Sequence, residues 1–464
     1  MKITFNGAAR DVTGSQFLLE VNGRKLLLEC GMYQGKRADA YQRNLNFHFN
    51  PRTVDAVILS HAHIDHSGDL PNLVKQGYEG PIYATEATAG LADIMLRDSG
   101  HIQEADAEYV NKKHHRRGEA PVEPLYTLED AVAVLDQFQP LAYNQTFEPI
   151  PGVTAHLEDA GHILGSAAIV LDIEEDHRQY RFQFSGDIGR KNLPLINDPV
   201  YPKGVNILMM ESTYGDIAKP NPQDALIELK LVVKRTFARG GKVIIPAFAV
   251  GRTQELIFAF NQLIADGEIK PFPVYVDSPL AVEATRVFEA YPQYLDQETR
   301  DFEAFRHHPA LEFKQLHLIK NVEESKALND RHDPMVIISA SGMAEAGRIL
   351  HHLRNNIENP RNTILIVGWQ APDTLGRRLV EQQKVVRIYG QMFDRRAEVE
   401  TINAFSAHAG QDTLLEYVQS TQESLKQLIL VHGEAEPASI FEEKLKEIGI
   451  KNIAYPDLYD SMEI

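Results

Sequence analysis

The stretch LSHAHIDHSGDL, residues 59–70, constrains the fold more than any other part of the chain. His61, His63, Asp65 and His66 set four ligand-type side chains within six residues, directly after the apolar run VDAVILS. Burying such a cluster without a counter-charge is expensive, so it calls for a cation. On a strand, positions 61, 63 and 65 would share a face while 66 pointed away; on a helix all four would fan out. The spacing therefore predicts a loop at a strand end, where the four can converge. Imidazole and carboxylate together suit zinc or another first-row divalent ion. An HxH pair alone is weak evidence for this; HxHxDH is far more specific.

Three more residues share that setting. His162 in EDAGHILGS, Asp187 in FSGDIGR and His432 in LILVHGE each follow an apolar run and stand near glycines. Singly, each reads as a polar residue capping a strand. Beside HxHxDH, three of the same kind read as ligands.

Length and composition bound the rest. A chain of 464 residues allows two or more domains. The net charge of −18 argues against sequence-blind adhesion to nucleic acid, although a locally basic groove remains compatible with it. NKKHHRRG, 111–118, is the densest basic cluster and reads as a solvated loop. The single cysteine, Cys30 at the end of RKLLLECG, excludes an internal disulfide framework and reads as a packed thiol in a reducing compartment. The N-terminus has no long apolar h-region and no window reaches the length of a membrane span, so no membrane association and a cytoplasmic location are expected.

Organisation follows from periodicity. KITFNG, QFLLEVN and RKLLLEC read as antiparallel strands joined by turns, with VDAVILS, VTAHLE, AAIVLDI, YRFQFSG and VNILMM as further strands. Asp69 and Pro71 mark a helix start. From about residue 217 strands and helices alternate: DALIELKLVVKRTFARGG, KVIIPAF, GRTQELIFAFNQLI, FPVYVDS, MVIISASG, GRILHHLRNNI and TILIVGW. That alternation predicts a mostly parallel sheet covered by helices, hence a second domain. The chain then returns to the first domain through AEVETINAFSAHAG, DTLLEYVQST and KQLILVHGE.

HxHxDH followed by His162 and Asp187 resembles the metallo-β-lactamase superfamily. MMESTYGD, FSAHAG and LVHGE are similar to the additional motifs of its β-CASP nucleic-acid-processing branch. GAARDVTGS, PAFAVGRTQE and SASGMAEAGRILHHL match the bacterial and archaeal relatives of the mRNA 3′-end processing endonuclease, and the likeness covers nearly the whole chain. The fold this implies is α/β: a metallo-β-lactamase αβ/βα sandwich with an inserted β-CASP α/β domain of mostly parallel sheet. Residues 1–211 and 396–464 would form the sandwich and 212–395 the insert.

The resemblance further implies one zinc on His61, His63 and His162, a second on Asp65, His66 and His432, and Asp187 bridging the two, with other divalent ions acceptable. Glu211 and His408 match motifs that assist catalysis beside the metals, so Asp65, Glu211 and His408 form the expected catalytic group. His408 is the candidate general acid or phosphate contact, with Glu211 orienting it and raising its pKa. One departure is visible: Glu29 in LLLECG stands where the family carries Asp as a support for the HxHxDH loop. Its extra methylene is expected to tune affinity or rate, within about 10–100-fold, rather than abolish them.

SASGMAEAGR follows a strand and opens a helix, so Ser339, Ser341, Gly342 and Arg348 are the expected phosphate contacts. By sequence alone such turns often serve only packing. Arg252 and the pair Arg377 and Arg378 are further candidates for backbone contacts, and the insert is expected to close over the metals as a lid.

The function expected is a zinc-dependent ribonuclease cutting single-stranded RNA internally, from the 5′ end, or both, to leave a 5′-phosphate and a 3′-hydroxyl. Other readings are weaker. A DNA nuclease of the crosslink-repair branch usually lacks a metal-binding histidine at the position of His432. Ribonuclease Z carries a short arm elsewhere, against about 180 inserted residues here, and a small-molecule hydrolase is disfavoured by the same insert. A non-catalytic RNA-binding scaffold would not keep a competent side chain at all seven ligand positions. A dinucleotide-binding domain would need GxGxxG after a strand. A homodimer is left open.

Overall fold

The computed structural model describes every residue except Lys36, Pro220 and Asn221. The chain divides into two compact units, one of Met1–Lys191, Asp198–Ala218 and His408–Ile464, the other of Asn192–Asn197 and Lys219–Ala407.

The first unit holds two seven-stranded sheets. One runs in the order Ser461–Glu463, Lys2–Phe5, Phe17–Val21, Arg24–Leu28, Ala56–Ile58, Ile82–Thr85 and Phe138–Leu141; the other in the order Ile453–Ala454, Gln427–Val431, Ile207–Glu211, Arg178–Phe184, Ala167–Glu175, Val153–Asp159 and Phe147–Ile150. Strand periodicity explains the layering. Phe17, Leu19 and Val21 of one sheet face Ile169, Leu171, Phe182, Phe184 and Met209 of the other in one shared core. Phe17 and Phe184 meet edge to face across that core, with centroids 5.3 Å apart. Intervening residues Leu208, Met210, Leu428 and Leu430 point outward and bury Leu414, Tyr417 and Val418 of the helix Gln411–Gln419 and Phe441 and Leu445 of the helix Ala435–Glu447. Burying each such side chain contributes about 1.5–3 kcal/mol.

The cluster at 111–118 is not a loop. It ends a 32-residue helix, Glu86–Arg117, capped by the Thr85 side chain at its start and by left-handed Gly118 at its end. Leu91, Ala92, Met95 and Leu96 anchor the helix, and Ala107 is its last buried residue. Beyond it the polar sequence continues the helix without an apolar stripe to announce it.

The second unit is built on a six-stranded sheet in the order Leu316–Ile319, Val274–Asp277, Val336–Ser339, Val243–Pro246, Thr363–Ile366 and Glu398–Thr401, with every neighbouring pair parallel. Its four inner strands are almost continuously apolar and wholly buried, as a sheet covered on both faces requires. The last strand lies past residue 395, so this unit runs on to Ala407.

A candidate metal centre

All seven ligand candidates lie in the first unit. His61 leaves the end of the strand Ala56–Ile58, and the loop closes in one helical turn, Ile64–Ser67, with His63 at its N-cap. The loop predicted from spacing is therefore half loop, half helical turn, which lets Asp65 and His66 turn back toward His61. Backbone bonds pin it: Ser15 N donates to Asp65 O at 2.8 Å, Cys30 N to His66 O at 2.8 Å and Met32 N to Ile64 O at 2.9 Å. Gly31 is required between them, since a Cβ there would lie 1.7 Å from Asp65 O. Asp187, Glu211 and His432 stand at or just past the C-terminal ends of three adjacent parallel strands, and His162 follows the strand Val153–Asp159.

These segments bring the candidates to one place. The ring nitrogens of His61 and His63 approach to 3.0 Å, and those of His63 and His162 to 3.3 Å. Asp187 Oδ2 lies 3.5 Å from His61 Nε2 and 3.5 Å from His162 Nε2. Its other oxygen, Oδ1, lies 3.4 Å from His66 Nε2 and 3.4 Å from His432 Nδ1. Asp65 Oδ2 completes this second group, 4.0 Å from His66 Nε2 and 3.6 Å from His432 Nε2. Ligand atoms of His61, His63, His162 and Asp187 all fall within 4.8 Å of one another, as do those of Asp65, His66 and His432. Two cradles thus share one aspartate.

Electrostatics favour cations. Burial holds the imidazoles of His61 and His162 well below their ordinary pKa, and that of His63 below it, so their lone pairs are available. Burial raises Asp65, but the imidazole of His432 beside it, with His66 and His63, outweighs burial and brings the group down to about 2. Asp187 is likewise held low against burial by His432, His66 and His408. Burial also opposes a charge on His66, yet Asp187, Glu29 and Asp65 raise it well above the ordinary range, so an incoming ion has a proton to displace there. His66 Nε2, Asp187 Oδ1 and His432 Nε2 are buried without a hydrogen-bond partner. Orphaned atoms of this kind, all from ligand-type groups facing one another, fit divalent cations.

Supporting contacts orient the ligands. Glu29, fully buried, accepts from His66 Nδ1 at 3.0 Å and from Ser60 N at 2.6 Å. Two supports escape a reading of the sequence. Ser60 Oγ lies 2.9 Å from His61 Nδ1, and Thr213 Oγ1 lies 3.2 Å from His432 Nδ1. Their only signal is adjacency, one residue before His61 and two after Glu211.

Glu211 and His408 join the same centre. Glu211 Oε1 accepts from Ile188 N at 2.5 Å, and Oε2 lies 3.2 Å from His408 Nδ1. His408 Nε2 is 3.8 Å from Asp187 Oδ2, and the side chain keeps 23% of its surface exposed. Burial opposes its charge, but Glu211 and Asp187 outweigh burial and raise its pKa to about 9.

The expected phosphate contacts lie in the second unit, and several are engaged within it. Arg348 Nη1 pairs with Asp277 Oδ1 at 2.7 Å and Nη2 donates to Lys320 O at 2.6 Å. Ser339 Oγ donates to Asp277 O at 2.7 Å, and Ser341 Oγ accepts from Glu345 N at 3.1 Å. Arg252 is buried against Glu255, with its guanidinium 5.5 Å from the Phe405 ring centroid.

Comparison with known proteins identifies the domains. Residues 18–185 match a metallo-beta-lactamase superfamily domain, 253–379 a Beta-Casp domain and 393–456 a Zn-dependent metallo-hydrolase RNA specificity domain. The chain is 37% identical to ribonuclease TTHA0252 of Thermus thermophilus over 452 residues, covering 97% of this chain and 95% of that one. It is 31% identical to the transcription termination factor FttA of Methanocaldococcus jannaschii, over 100% of this chain and 72% of the relative. A solved structure of a protein of unknown function from Enterococcus faecalis aligns with a TM-score of 0.57 over 99% of each chain at 12% identity, a likeness of fold.

Proposed function

The chain belongs to the β-CASP branch of the metallo-β-lactamase superfamily, and from that premise we propose that it is a metal-dependent ribonuclease hydrolysing RNA phosphodiester bonds. One observation carries the reading: the two oxygens of buried Asp187 face two separate groups of ligand-type side chains. That arrangement supports two ions rather than one, with His61, His63 and His162 holding the first, Asp65, His66 and His432 the second, and Asp187 shared. The mixed imidazole and carboxylate set favours zinc. Single-stranded RNA in the cytoplasm is the substrate this reading takes.

Bound there, divalent cations supply Lewis acidity, lowering the pKa of water and offsetting charge that builds on phosphoryl oxygens. The protein groups do the rest. Glu211 holds His408 by Nδ1, which leaves Nε2 turned toward Asp187. Glu211 and Asp187 raise the pKa of His408 against burial, which favours the protonated form that a general acid needs. As water adds to phosphorus and gives up a proton to solvent, the bond to the 3′ oxygen breaks and the His408 proton passes to the leaving oxygen, giving a 3′-hydroxyl and a 5′-phosphate; His408 then regains a proton from solvent. Asp65 stays ionised throughout the working range.

The test is incubation of end-labelled RNA, bearing 5′-monophosphate or 5′-triphosphate, with metal-replete and metal-stripped protein. Cleavage confined to the replete protein is the expected result, and product lengths separate internal from 5′-terminal cutting. Full activity after metal removal would overturn the reading.

A further inference from the structure

In the parallel sheet of the second unit, the strands Val243–Pro246 and Thr363–Ile366 pair directly, Val243 opposite Thr363 and Ile244 opposite Ile364. Each strand leaves its C-terminal end into a short loop that carries one exposed aromatic ring. Phe248 is 48% exposed and Trp369 is 45% exposed. The C-terminal edge of a parallel sheet is where such folds bind ligands.

Both loops meet the same turn. A Cβ added at Gly342 would lie 2.9 Å from Phe248 Cδ2 and 3.0 Å from Cε2, so the ring rests on bare glycine backbone. Gln370, the residue after Trp369, donates Nε2 to Gly342 O at 3.2 Å and to Trp369 O at 2.9 Å. The helix Leu375–Val380 is fastened to this turn too, through Gly376 N to Met343 O at 3.1 Å. Arg378 on that helix donates to the carbonyls of Thr374 and Asp373, at 3.2 and 2.9 Å. The Phe248 ring and the Trp369 backbone are therefore held at one turn, although each ring shows about half its surface to solvent.

We propose that Phe248 and Trp369, anchored on the Gly342 turn, form a stacking platform for unpaired RNA bases, with Arg378 at its edge. Resting on the ribonuclease reading, this gives the substrate a grip that does not pass through the metals. The surroundings decide the occupant. Gln370, Pro372, Asp373, Arg377 and Arg378 follow Trp369 closely in sequence, and the helix that carries both arginines is fastened to the same turn, so the neighbourhood is polar rather than the continuous apolar patch of a protein interface. Separate aromatic faces beside arginine suit bases, each of which offers a flat face of its own. Stacking of this kind is sequence-tolerant.

Trp369 is the single tryptophan of the chain, so its fluorescence reports on this surface alone. The experiment titrates full-length, metal-stripped protein, in which cleavage is off, with a decameric oligoadenylate and with an abasic phosphodiester strand of equal length. The expected result is quenching by oligoadenylate and affinity at least about 5-fold weaker for the abasic strand. Phe248→Leu should weaken oligoadenylate binding by about 5- to 150-fold, the equivalent of one stacked base. Phe248→Tyr, which keeps the ring, should restore it. Equal binding of both strands, or Phe248→Leu binding like wild type, would overturn the proposal. So would a Trp369 spectrum that shifts with protein concentration and ignores oligonucleotide, which would put a second copy of the chain there. Quenching without any RNA cleavage by metal-replete protein would remove the nuclease reading and leave the platform standing.

Discussion

Glu29 Oε2 and His66 Nδ1 lie 3.0 Å apart in a site where both side chains are wholly buried. That bond fixes the His66 tautomer and turns Nε2 toward Asp187. The longer side chain, unusual for this position, reaches Ser60 N with its other oxygen. Glu29→Gln, which can accept on only one oxygen, should weaken metal affinity by about 10–100-fold with the fold intact. Competition with a chromophoric chelator measures this. Unchanged affinity would make Glu29 a packing residue.

Asp187 serves both cradles, whereas His162 serves one. Asp187→Ala should therefore lower bound metal at both, while His162→Ala should lose about one equivalent and keep the other at reduced affinity. Elemental analysis after dialysis against trace zinc distinguishes the two. Equal losses in both variants would contradict the shared carboxylate.

His408 has its pKa raised to about 9 by Glu211 and Asp187 acting against burial. The sign follows: the cation is present below that value and lost as pH rises through it. In metal-stripped protein, NMR titration of His408 should show its midpoint near 9, and Glu211→Gln should bring it down toward about 6.5. A midpoint unmoved by that substitution would separate the two residues functionally, whatever their 3.2 Å approach.

Asp277 is buried and accepts from Ser325, His352 and Arg348 at 2.5, 2.6 and 2.7 Å. Burial raises its pKa, but those hydrogen bonds outweigh burial and leave it lowered. A lowered acid stabilises the fold above its unfolded pKa, near 3.9, and that contribution fades as pH falls through the folded value. Asp277→Asn should cost about 3 kcal/mol at pH 7, since it strands the buried partners. The gap to wild type in urea denaturation should close as pH drops below about 4. A constant gap would mean that the loss is steric.

Much of this was legible in the sequence, and the exceptions have physical causes. HxHxDH, His162, Asp187 and His432 could be picked out because ligand chemistry needs particular side chains at strand ends. The inner strands of the second unit could be read because burial on both faces makes them almost continuously apolar. The outer turns of Glu86–Arg117 could not, since a polar helix beyond its last buried residue, Ala107, has no periodicity to detect. Nor could the state of Arg348, whose carboxylate partner lies 71 residues earlier in the chain. Thr213 and Ser60 show the same limit: a hydroxyl beside a histidine ring is a fact of three dimensions.

The donors that meet at Asp187 are scattered from His61 to His432, with Lys219–Ala407, the bulk of the second unit, translated between Glu211 and His408. A nascent polypeptide lacks the last of them until His432 has left the ribosome. Until then the group formed by Asp65, His66 and His432 is incomplete, so the centre assembles only after the inserted unit has been made.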